Sequence, residues 1–470
     1  MMRPRRTLPA LRIFCACALL ISALPGVSAR ARAAQESAAE PRREQLLNGL
    51  PILLSYRPGD PQVLMKLRLQ SGAAFDLAGR EGLMALLGDI LFPDPNTREF
   101  VRDELGGRLE VTTDYDHIDV TLSGRATEFE RLAELLRNAL VNQRVAAEDV
   151  ARLRAERIKA ARAALLAPAT VADRAAAARL YGTHPYGRSP AGTPESLARV
   201  ERADLLLARD RFLTADNARL VIIGGVEPAR AMRVFRQFLG AWRKSESLVP
   251  ATFRRPDAPS LRTLVIDQPG ADGAEVRLAL RGLARTDRDY VAANVLAALA
   301  RSNWPVTLAP IKADNMNVRH EAHALGGLWL MSARVSPTTV VQTLGAARST
   351  LNALVITPPT DAEFEQAKRE AAAALDANKQ PDEALADRWL DAESYGTTDE
   401  DARRALNVLT LADVQRVAAR LFRYAGVATV AVGPLAELRE QLARTSNGVE
   451  VFGAPATPKP APSPPPARRP

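Results

Sequence analysis

The sequence predicts an α+β protein built from two homologous units, each an antiparallel sheet covered by helices. Three observations carry this expectation. Ala203-Asp204-Leu205 leads through Arg211-Phe212 to Leu220-Val221-Ile222-Ile223-Gly224, and Ala412-Asp413-Val414 leads through Leu421-Phe422 to Thr429-Val430-Ala431-Val432-Gly433. The order acid, helix, Phe, strand, Gly at matching separation marks a duplicated unit. Each half also opens on a strand-like run, 63–70 and 275–281, followed by a turn and an apolar helix pattern, 82–92 and 290–299. Finally, residues 117–123 alternate Ile118, Val120 and Leu122 with His117, Asp119 and Thr121. That period of two suits an antiparallel strand with one core face and one open face.

The elements follow in chain order. Residues 1–33 set Arg3, Arg5, Arg6 and Arg12 before an apolar run from Ile13 to Leu24, then the small-residue patterns Val27-Ser28-Ala29 and Ala31-Arg32-Ala33. This reads as a secretory signal peptide, because the run is shorter than the roughly 20 residues that span a bilayer. The expectation is an exported chain, periplasmic or extracellular, with no stable membrane span after cleavage. Cys15 and Cys17 are the only cysteines and lie in this run, so a cleaved chain has neither disulfides nor a thiol nucleophile. A first domain is expected over 44–248, a Pro-rich linker over 249–260 and a second domain over 261–446. Residues 447–470 read as a Pro-rich disordered or polyproline tail. Thr286 with Asp289, Thr360 with Glu363 and Thr410 with Asp413 have the spacing of helix N-caps and predict helices after the strand clusters.

The formal net charge of +9 argues for an anionic partner only if it belongs to the folded body. Six arginines without an acid fall in residues 1–33, and Lys459, Arg468 and Arg469 without an acid fall from Ala454 onward, which leaves the body between them neutral. Nucleic-acid binding loses its electrostatic basis. Gly224-Gly225 lacks the third spaced glycine of a dinucleotide loop, and no Gly-x-Ser-x-Gly elbow is present.

A series of motifs resembles, in order, the insulinase/pitrilysin (M16) metallopeptidase family, which includes the mitochondrial-processing-peptidase-like proteins. It runs from Leu47-Asn48-Gly49-Leu50-Pro51 through Ser71-Gly72-Ala73, the stretch 81–92 and Gly106-Gly107. Tyr181-Gly182-Thr183-His184-Pro185-Tyr186-Gly187, Gly192-Thr193-Pro194-Glu195 and the strand ending at Gly224 complete it. The resemblance spans roughly 44–446 and implies the M16 fold of two facing units.

It also implies where zinc would be held, and the reagents are missing. The family helix reads His-x-x-Glu-His, two zinc ligands around a general base. The corresponding slots here are Ala85, Gly88 and Asp89. No acid stands in 160–166, where the family's third ligand is expected, and Glu156 fits better as a solvated charge among Arg152, Arg154 and Arg157. In the second half, Lys312 and Arg319 align with the family's carbonyl-binding Arg and Tyr and are the substrate-binding candidates. His320-Glu321-Ala322-His323 has the wrong spacing for a zincin and precedes a strand-like run, and His184 suits a packed, capping imidazole.

The resemblance therefore implies a chain with no intact catalytic residue, no metal and no cofactor of its own. It would pair as a heterodimer with an active, zinc-bearing M16 subunit around an extended peptide. The alternatives are a stand-alone exported peptide-binding or assembly scaffold, and a residual zinc metalloendopeptidase using Asp89.

Overall fold

The computed structural model describes residues 40–246, 249–376, 381–443 and 448–452. The signal-peptide segment 1–33 and residues 453–470 of the expected tail 447–470 lie outside the described residues; at the tail's start, Val449–Phe452 form a strand. Among the described residues no helix is long and apolar enough to cross a membrane.

Two six-stranded sheets dominate. The first takes β1 (Arg42–Gln45), β2 (Pro51–Tyr56), β3 (Gln62–Leu69), β4 (Arg108–Thr113), β5 (Ile118–Arg125) and β6 (Ala218–Gly224) in the spatial order β1-β2-β6-β3-β5-β4. The second takes β7 (Thr263–Asp267), β8 (Ala274–Gly282), β9 (Ala313–Ala322), β10 (Gly327–Val335), β11 (Ala428–Gly433) and β12 (Val449–Phe452) in the order β12-β7-β11-β8-β10-β9. Five positions correspond one to one, so the repeat read from the sequence is a repeat of topology. The sheets are mixed, which amends the antiparallel expectation: β2 runs parallel to β6, and β7 runs parallel to both β11 and β12. β2 lies beside β6 and β7 beside β11, an early and a late strand of each half, and the helices between them return the chain to the same end of the sheet.

In the first half the helices are α1 (Leu83–Ile90), α2 (Asn96–Asp103), α3 (Phe129–Leu140), α4 (Ala147–Ala164), α5 (Pro168–Tyr181), α6 (Pro194–Ala198), α7 (Arg202–Phe212) and α8 (Pro228–Leu239). In the second they are α9 (Tyr290–Leu308), α10 (Val340–Ile356), α11 (Asp361–Asp376), α12 (Pro381–Tyr395), α13 (Asp399–Val408), α14 (Leu411–Phe422) and α15 (Leu435–Leu442). Thr360 and Thr410 cap α11 and α14 as their spacing predicts. Thr286 does not cap α9: the N-cap position is Asp289, three residues later, whose buried carboxylate is taken by Arg416 and Arg420. The Arg416 hydrogen bond, with help from Arg420, pulls Asp289 down to about 2.

Each half lays its own helices on one face of its sheet. Val63, Met65, Leu67 and Leu69 of β3 join Ile118, Val120 and Leu122 of β5 in the first core, with Leu86, Leu87 and Phe129 from the helices. The opposite face is closed, which corrects the expectation of an open one. Leu385, Ala386, Trp389 and Leu390 of α12, from the second half, pack on Leu53, Leu64, Val221 and Ile223 of the first sheet. The exchange is reciprocal: Ala172, Ala176 and Leu180 of α5, from the first half, pack on Ala279, Leu330, Val430 and Val432 of the second sheet. This explains why Leu220 to Ile223 is apolar at every position, since its two faces serve two different cores. The stretch 249–260 carries no helix or strand.

Candidate functional site

Helix α1 is anchored from outside its own turn. Oδ2 of Asp76 accepts from the Gly82 N–H and Oδ1 from the Met84 N–H, each at 2.7 Å, so one carboxylate takes two of the orphan donors at the helix start. Burial nonetheless pushes the Asp76 carboxyl up to about 7, and the two backbone bonds only moderate the shift. Gly82 itself sits at φ 92°, and a methyl there would lie 2.8 Å from Leu197 and 2.9 Å from the Gly192 backbone. Only glycine suits that conformation and that approach.

Ala85, Gly88 and Asp89 lie along this helix against α4. A side chain at Gly88 would meet Thr113 Oγ1 at 3.1 Å and Val111 at 3.3 Å, both on β4. Asp89 is bound through both oxygens by Arg157 of α4, one Nη2 bond measuring 2.9 Å, and the same Nη2 donates to the Ala85 carbonyl at 2.9 Å. A single guanidinium thus ties α1 to α4. This geometry does not fit zinc. The only carboxylate on α1 is occupied by a fixed cation, and a second cation at that carboxylate would be repelled. Glu156 stands exposed and pairs with Arg152 at 3.1 Å, and among the described residues no group of three or more His, Cys, Asp or Glu is placed to hold a metal.

Charge is concentrated instead where the halves meet. Arg68 of β3 is buried and donates to both oxygens of Asp119, at 2.8 and 2.9 Å, and to Asp391 of α12 at 2.6 Å. Lys66 pairs with Asp387 of α12, and Arg285 of the second half reaches Asp391 at 2.9 Å. Burial pushes Asp119 up, but Arg68 with His117 and Lys66 outweighs it and holds the carboxylate below its usual range. The second sheet repeats the device: Arg277 of β8 pairs with Asp173 of α5 and with Glu275 at 2.9 Å. Two cavities of about 400 Å³ flank this junction and share Arg285, Asp387 and Asp391; Arg319 and His320 line one, and His117, Glu110 and Tyr395 line the other.

Of the sequence candidates in the second half, Arg319 lies in the first of these cavities, bound to Asp173 at 3.0 Å and Glu321 at 2.5 Å. Lys312 stands exposed just before β9. Seven residues of strand put it about 23 Å from Arg319, and it lines neither cavity. His320 is on β9, held by Asn294 at 2.9 Å and by the Leu283 N–H at 3.0 Å, and burial pulls it down to about 4. His323 follows in the turn, against the Tyr115 and Tyr186 rings. His184 Nδ1 accepts from the Tyr186 N–H at 3.2 Å, the structural role its motif suggests. Sequence reasoning missed Arg157, Asp387 and Asp391. The available signal for the last two was Lys66 and Arg68 standing at alternate positions in an otherwise apolar strand, which demands buried counter-charges.

Residues 199–371 match the family model of the peptidase M16 inactive domain. Over that stretch the chain is similar to the M16 peptidase family. Solved structures share the M16 fold across nearly their whole length. The peptidase M16 inactive domain from Pseudomonas fluorescens is 18% identical with a TM-score of 0.75, covering 84% of this chain and 98% of its own. A protease from Helicobacter pylori is 18% identical with a TM-score of 0.76, covering 84% and 100%. A chain of complex III from Candida albicans is 15% identical with a TM-score of 0.72, covering 85% and 97%. At such identities the likeness establishes the M16 architecture of two mixed sheets with helices. No curated protein sequence matches the chain.

Proposed function

We propose that this chain is the non-catalytic subunit of a two-protein M16 assembly, in which a separate zinc-bearing subunit performs peptide hydrolysis. The observation that carries this reading is the Arg157 bridge. Helix α1 and its partner α4 are kept in register, while the groups that would hold and activate a zinc-bound water are replaced by an ion pair. A scaffold maintained without its chemistry serves binding and assembly. The M16 fold supports the same reading, since the complex III relative is itself a component of a multi-subunit assembly. An extended peptide would add to a free sheet edge, for which β4 beside the Glu110 and His117 cavity is the candidate. Arg319 would contribute to substrate binding from its cavity and Lys312 from the surface. The N-terminal sequence supports export, to the periplasm or beyond.

The test is to capture the tagged, processed protein from its own cells and determine what elutes with it in constant ratio. A second M16 chain bearing His-x-x-Glu-His, with zinc in the complex close to one per pair, supports the subunit reading. Elution alone or as a homodimer overturns it in favour of a stand-alone scaffold.

A further inference from the structure

A cavity of about 340 Å³ opens between the connecting stretch after the first half, the end of β8 and the turn after α14. Gly426 sets its depth, because a methyl there would lie 2.8 Å from Pro259. The polar lining is three guanidiniums, Arg255, Arg281 and Arg420, with the Tyr424 ring, and neither Asp nor Glu lines it. Pro259, Leu283 and Leu421 supply apolar wall.

The three arginines are not equivalent. Arg420 is committed to Asp287, at 2.9 and 2.7 Å, and to Asp289 at 2.6 Å. Arg281 donates only to backbone carbonyls, those of Leu180 at 3.3 Å and of Asp257, and its Nε is buried without a partner. Arg255 is exposed and makes no hydrogen bond or ion pair among the described residues. Burial first, and the like charge of Arg255, push Arg281 below its ordinary value, against opposing effects of Tyr181 and Asp257. Asp257 does not neutralise the pair, for its carboxylate is 90% exposed and faces Arg254 at 3.7 Å.

Two neighbouring guanidiniums with no carboxylate between them repel each other, and an anion bridging them would convert that repulsion into charge-assisted hydrogen bonds. We propose that this cavity is a binding site for an oxyanion, carboxylate or phosphate, held between Arg255 and Arg281 with the exposed Tyr424 ring at its rim. Its volume lies at the lower end of small-ligand pockets, about 300–1,000 Å³, so the anion can arrive on a residue-sized carrier resting on Pro259 and Leu283. None of its lining residues takes part in the Arg157 bridge.

The experiment is calorimetric titration of the full chain, at constant ionic strength in chloride, with two probes. One is inorganic phosphate; the other is a tetrapeptide with a free C-terminal carboxylate, run beside its amide. Arg255→Ala and Arg281→Gln are titrated alongside. Arg255 is exposed and unpaired, so its variant keeps the fold, and equal thermal midpoints check this. The expected result is saturable binding of at least one probe, weakened about tenfold or more in both variants, the usual scale for losing a charge-assisted contact. Binding of the free-acid peptide and not its amide assigns the site to peptide carboxylates, and binding of phosphate alone assigns it to phosphate. Absence of saturable binding by both probes, or unchanged binding in Arg255→Ala, overturns the proposal.

Discussion

At the scale of single residues, the informative substitution is what stands in the metal's place. Zinc would link α1 to α4 by coordinate bonds, and Arg157 links them with hydrogen bonds to Asp89 and to the Ala85 carbonyl. Both partners are partly shielded from solvent, so the link is stronger than a surface ion pair. Arg157→Ala is expected to lower stability by about 1–3 kcal/mol, the range for hydrogen bonds to charged groups whose partner is left behind. Arg157→Lys is expected to recover only part of it, because one ammonium cannot reproduce the planar fork. Urea unfolding of the three proteins checks this, and an unchanged midpoint in Arg157→Ala would remove the bridge from the account. Neither Asp89 nor Arg157 could be matched from sequence, since they are 68 positions apart and each has charged neighbours nearer in the chain.

Among the elements, helices and strands were largely legible because their signals are local. The predicted strand at 275–281 is β8, the helix pattern at 82–92 is α1, and two of three cap spacings mark real helix starts. Periodicity fails where a strand serves two cores. In β3, Leu64 faces α12 while Lys66 and Arg68 on the same face meet its acids, so alternation reveals a second buried face without saying what buries it. Helix α1 also shows why restoring a motif differs from restoring a site. The variant Ala85→His, Gly88→Glu, Asp89→His is expected to show no zinc-dependent peptide cleavage. The new side chain at 88 must displace Thr113 and Val111 of β4, Arg157 would lose Asp89, and α4 offers no acid in 160–166. Assaying cleavage of a fluorogenic peptide with and without added zinc decides it; zinc-dependent turnover would show that the scaffold still holds a usable metal geometry.

For the whole molecule, the decisive feature is the exchange of α5 and α12, each covering the other half's sheet with an apolar patch beside buried ion pairs. Breaking such pairs leaves charges buried and uncompensated, so separating the halves is costly. Cutting the chain at a protease site placed between Arg254 and Asp257, where the backbone is exposed, is therefore expected to leave the halves together. They should co-elute in native buffer and separate only in denaturant. Release of either half without denaturant would mean that the exchanged helices do not hold the molecule. The sequence by itself determined the repeat, the positions of most elements and the absence of a His-x-x-Glu-His motif, because propensity, periodicity and ligand chemistry are properties of residues and their near neighbours. Only the tertiary structure decided which faces are closed, what bridges α1 to α4 and where unpaired arginines gather. Those depend on residues distant in the chain, 68 positions for Asp89 and Arg157 and 323 for Arg68 and Asp391, meeting in a buried setting where a missing partner is costly.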